Sequence, residues 1–103
     1  MSGPSLTVGP RVISEMVRLA AFEVPGVAKV GRGGPPWRAL SGRAVTTRLR
    51  DDRVEVRLWI VARPGHALAP LAGEVRSAVA ATVERLLGLE LGAVTVLVDG
   101  VGG

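Results

Sequence analysis

The sequence predicts an α+β fold, a two-layer sandwich in which two helices pack on one face of a three- to four-stranded, mainly antiparallel sheet. Two helical-period segments flank a pair of alternating-period segments, and a valine-rich run closes the chain. The length, 103 residues, fits one domain over 1–103, with 1–5 and 100–103 as frayed ends and 31–43 as a Gly/Pro-rich loop.

The first helix opens at Gly9-Pro10, because proline at the first helical position gives up an N–H that has no partner there. Val12, Ile13, Met16, Val17, Ala20, Ala21 and Val24 then recur at helical spacing, with Arg11, Ser14, Glu15 and Arg18 opposite. Pro25-Gly26 ends the helix, since the residue before a proline is pushed out of the α region. Phe22 falls on the polar side, beside Arg18. A ring there is either half covered by a loop or part of a contact surface. Leu6–Val8 and Val27–Val30 read as short strands, and 31–37, rich in Gly and Pro, as a loop.

The strongest local signal is a hairpin. Val45, Thr47 and Leu49 alternate with Thr46, Arg48 and Arg50, and Val54, Val56, Leu58 and Ile60 alternate with Glu55, Arg57, Trp59 and Val61. With Asp51-Asp52 as the turn, or a four-residue loop from Arg50 to Arg53, Leu49 meets Val54, Thr47 meets Val56 and Val45 meets Leu58. The same register sets Arg48 opposite Glu55. A slip of one residue would turn every apolar side chain to the wrong face, so the register is well specified. The second helix runs from about Ala69, with Pro70 in its first turn, to Leu87. Its apolar stripe is Leu71, Val75, Val79, Val83 and Leu86, and Gly88 is its left-handed cap. The last strand is placed at Ala93–Asp99, with Val94, Val96 and Val98 on one face.

Composition narrows the function. There is no cysteine, which removes disulfides and thiolate metal sites. No apolar run approaches the roughly 20 residues that cross a bilayer, and the first residues lack the basic start and apolar block of a signal peptide. The formal charge of +4 sits entirely between Arg38 and Arg63, where seven arginines face three acids; elsewhere six basic and six acidic residues balance. The lone histidine, His66, lies in a Pro-Gly loop without a local acid partner, so it is read as an exposed loop residue. The loop Gly31-Arg32-Gly33-Gly34 lacks the Lys-Ser/Thr that completes a phosphate loop. No catalytic, cofactor or metal site is assigned, and the chain is expected to bind or assemble rather than catalyse. The candidate interaction surface is Arg48, Arg50, Arg57 and Trp59 on the uncovered sheet face, with Phe22 and Trp37. Trp59 is either overlaid by a loop holding Trp37 and Leu40 or left for a partner.

The order of motifs resembles the alkaline shock protein family of bacterial envelope stress response proteins, also called the Gls family. The resemblance rests on Ala20-Ala21, Glu23-Val24-Pro25-Gly26-Val27, Val54–Val61, Pro70, Val75, Val79, Val83 and Gly88-Leu89, followed by Val94-Thr95-Val96. It spans about Leu6 to Val101. It implies a non-enzymatic, cytoplasmic protein, peripheral at the inner face of the cell envelope, that self-associates as a homo-oligomer or binds a membrane-anchored protein partner. The alternative is a small nucleic-acid-binding module using the Arg-rich sheet face. No small-molecule substrate is expected under either reading.

Overall fold

The computed structural model describes residues 9–34, 43–50, 53–88 and 90–102. The Leu6–Val8 strand, Trp37, Leu40, the Asp51-Asp52 turn and Leu89 lie outside the described residues.

Helix α1 spans Pro10–Phe22. Gly9 is extended and its carbonyl accepts the N–H groups of Val12 and Ile13, which starts the helix with proline at its first position. Ile13, Val17, Ala20 and Ala21 are buried. Val12, expected in this stripe, is 51% exposed. At 100° per residue it stands about 120° from the middle of the buried arc, outside a stripe of ordinary width. On the solvent side the Arg18 guanidinium hydrogen-bonds Glu15 one turn back, and this holds the Glu15 carboxyl below its usual range.

Strands β1 (Val27–Val30), β2 (Val45–Arg50) and β3 (Arg53–Ala62) follow, then helix α2 (Leu68–Leu87) and strand β4 (Glu90–Val101). Strand β3 is the spine. One of its edges takes β2 along Arg53–Leu58 and β1 along Ile60–Ala62, both antiparallel. The two meet at Trp59, whose carbonyl accepts Gly31 N–H at 2.8 Å and whose N–H donates to Ala44 at 2.9 Å. Thus β1 and β2 form one edge strand, interrupted where the chain leaves at Gly31 and returns at Ala44. The hairpin register is the expected one: Val45↔Leu58, Thr47↔Val56, Arg48↔Glu55 and Leu49↔Val54.

The other edge of β3 takes β4, in parallel, as a crossover through α2 allows. This strand is longer than expected at both ends. Gly92, just before the expected strand, and Gly100, expected as part of a frayed end, fall where β4 carries one residue more than β3, between the Val54 and Val56 pairs and between the Ile60 and Ala62 pairs. Glycine is common at such bulges because the chain bends there. The strand therefore continues to Val101, and Gly102 N–H still reaches Ala62 O at 2.8 Å. The expected frayed end at Gly100 and Val101 is a paired strand instead.

Both helices lie on one face of the sheet. Helix α1 packs on β1 and β2, α2 packs chiefly on β4, and the helices pack on each other. Between the layers Val54, Val56, Leu58, Ile60 and Ala62 of β3 meet Ile13, Val17 and Ala21 of α1 and Leu71, Val75, Val79 and Val83 of α2. Full burial of each large aliphatic chain contributes about 1.5–3 kcal/mol, and no buried polar or charged residue interrupts the described core. Ser14 and Thr47 hydroxyls, 2.6 Å apart, satisfy each other at its margin. Leu86, expected in the α2 stripe, lies in the last turn and is 58% exposed; the buried stripe ends at Val83. Gly88 caps the helix at φ 64°, as expected.

Candidate interaction face

Because side chains alternate along a strand, sealing Val54, Val56, Leu58 and Ile60 under the helices sends Arg53, Glu55, Arg57, Trp59 and Val61 to the opposite face. Cross-strand register then arranges that face in rows. One row is Thr46–Arg57–Thr95, with an arginine between two hydroxyls. Beside it Arg48 stands across from Glu55, and at the sheet end Arg50 pairs with Arg53, which pairs with Glu90. On the other side Trp59 adjoins Leu97. A shallow depression is lined by Thr46, Arg48, Glu55, Arg57, Ala93 and Thr95, where small β4 side chains leave room between the arginines.

Three of the candidate residues, Arg48, Arg50 and Arg57, are exposed together on this face. The Arg50 guanidinium lies 3.9 Å from the Glu55 carboxylate, and Arg53 lies 3.6 Å from Glu90. These pairs are solvated and each contributes well under 1 kcal/mol.

Trp59 shares the face but is half-buried. The Arg32 guanidinium lies over its ring, 4.0 Å from the centroid. Arg32 is held there by Asp99 of β4, with Nε 3.3 Å from Oδ2, and the same oxygen accepts the Gly33 N–H at 2.7 Å. This clamp spans all three strand positions of the sheet. It also requires glycine at 33, since a Cβ there would stand 2.6 Å from the Asp99 carbonyl oxygen. Arg32, just beyond β1, thus lies over Trp59, whereas the expected cover from Trp37 and Leu40 falls outside the described residues. Phe22 is not part of the face. It sits on α1, in the opposite layer, 51% exposed. Arg32 and Asp99 were missed because 67 residues separate them and neither carries a local signal.

His66 is exposed, as expected, and its ring rests on Gly26. Among the described residues no group of three His, Asp or Glu side chains could hold a metal ion, and no helix is long and apolar enough to cross a membrane.

The element order α-β-β-β-α-β, with the first two strands sharing one edge, defines a two-layer α/β sandwich with one sealed and one open sheet face. Residues 3–102 match the alkaline shock protein 23 family, described as having a cell envelope-related function, and the chain belongs to that family. Among curated protein sequences none matches the chain. Among solved structures, a doubly substituted MamM-CTD is similar with TM-score 0.63 and 17% identity, covering 87% of this chain and 92% of that one. A singly substituted MamM-CTD gives 0.62 and 18% over 85% and 92%, and a nickel form of another variant gives 0.56 and 19% over 87% and 96%. At these identities the likeness is one of fold.

Proposed function

We propose that this chain is a non-enzymatic, envelope-associated scaffold that self-associates or binds a membrane-anchored protein partner through its open sheet face. The observation that carries the reading is the division of the sheet: helices consume one face, while the other holds Arg48, Arg50 and Arg57 in water. Membership of an envelope-related family supports the location.

Sedimentation velocity over a hundredfold concentration range is the test, together with recovery of partners from the membrane fraction of the native cell. The expected result is concentration-dependent assembly or a membrane-fraction partner, with either one diminished by Arg48→Glu plus Arg57→Glu. A strict monomer at high concentration with no such partner would overturn the reading.

The nucleic-acid alternative has the arginines in its favour, and it predicts binding that weakens steeply with salt. It has less to stack on, because the Arg32 guanidinium already lies over the Trp59 ring.

A further inference from the structure

Charge is segregated between the two layers. Helix α1 with its cap and helix α2 carry four arginines and four glutamates and sum to zero. The open sheet face carries an excess of cations, although three of its arginines are matched by acids: Arg32 by Asp99, Arg50 by Glu55 and Arg53 by Glu90. Among the described residues, Arg48 and Arg57 have no ion-pair partner. They are diagonal neighbours across β2 and β3, two residues apart in register and so on the same face, and Arg57 lies between the hydroxyl-bearing Thr46 and Thr95.

We infer that the Thr46–Arg57–Thr95 row, with Arg48 beside it, seats phosphates of an anionic phospholipid surface. Guanidinium groups take phosphate oxygens with two parallel N–H donors, and threonine hydroxyls donate to a third oxygen. The depression between these side chains is open and shallow, and small residues of β4 form its floor. It suits headgroups presented on a plane rather than a ligand that must be enclosed. The next row, Trp59 and Leu97, is half-buried and partly apolar. Basic and apolar rows side by side on one flat face are the arrangement that rests at a lipid headgroup boundary. A nucleic acid would want a free ring, and here the ring is capped by Arg32. The inference rests on the envelope-associated reading above and names the surface that face meets.

The test is cosedimentation of the intact chain at low salt with vesicles of phosphatidylcholine alone and with phosphatidylglycerol added. Binding is expected only to the anionic vesicles. Arg48→Glu plus Arg57→Glu should weaken it at least tenfold, because each basic residue near an anionic surface contributes about fivefold. Arg11→Glu, the same type of charge change on the helix layer, should weaken it less than twofold. Circular dichroism checks folding, and Arg57→Gln gives the same reading with less perturbation if the double variant unfolds. No binding to anionic vesicles, or equal losses from Arg11→Glu and the sheet-face variant, overturns the inference. So does release by millimolar inorganic phosphate, which would mark a small-anion site, or tighter binding to single-stranded RNA than to vesicles. Self-association without vesicle binding removes the lipid seat and leaves the scaffold. Vesicle binding by a strict monomer without a protein partner does the reverse.

Discussion

Leu58→Ala is expected to lower the unfolding free energy by about 3 kcal/mol. Leu58 is fully buried at the middle of β3, between Val45 of β2 and Val96 of β4, beneath both helices. Removing its isopropyl group leaves a space beside the β-branched side chains of Val45 and Val96, which have few rotamers with which to fill it. A chain of this size has roughly 5–15 kcal/mol in all, so the loss is a large share of the total. The midpoint of thermal melting should fall by on the order of 15 °C. Urea unfolding with an unchanged slope checks the assignment to stability rather than to compactness. A loss below about 1 kcal/mol would mean that the helices do not close over this face.

Gly26→Ala should cost about 1–3 kcal/mol although it removes no contact. Gly26 is buried with φ 103°, a backbone conformation that side chains disfavour. Its carbonyl accepts Arg63 N–H at 2.7 Å, which fixes the crossing of the α1–β1 turn over the end of β3. An added Cβ would also stand 2.8 Å from the His66 ring at Nδ1. The two causes separate in a His66→Ala background, where the steric part disappears and the torsional part remains. Equilibrium unfolding of the four proteins gives both. If Gly26→Ala is neutral in either background, the turn does not hold the geometry described. This accounts for Glu23-Val24-Pro25-Gly26-Val27 as a structural motif: proline closes the helix and glycine turns the chain into β1.

The strand register of the hairpin is legible in the sequence because its two alternating runs match apolar to apolar in only one register. The buried stripes of α1 and α2 were legible for the same reason, apart from their margins. Val12 and Leu86 are apolar residues whose exposure depends on where the neighbouring layer ends, which periodicity does not report. Glycine misled at β4. Gly92 and Gly100 serve as bulges that let a twelve-residue strand follow β3 through two register shifts. The shared edge of β1 and β2 was hidden because the segment between them looks like any loop. The open face was read correctly as the home of Arg48, Arg50, Arg57 and Trp59, since strand alternation fixes it once the core side is known. Its Arg32–Asp99 clamp was not legible, since it joins two residues through tertiary structure alone. Phe22, placed by periodicity on the polar side of α1, is exposed there, in the layer opposite the sheet face.

Binding through the sheet requires the arginine-bearing surface to stand uncovered in the folded chain. Arginine-selective dicarbonyl labelling of the dilute native protein, followed residue by residue by mass spectrometry, measures this directly. Arg48, Arg50 and Arg57 should react as fast as Arg11 and Arg85 on the helices, while Arg32, stacked on Trp59 and held by Asp99, should lag behind them. Common protection of Arg48 and Arg57 in the monomer, released only on unfolding, would contradict it.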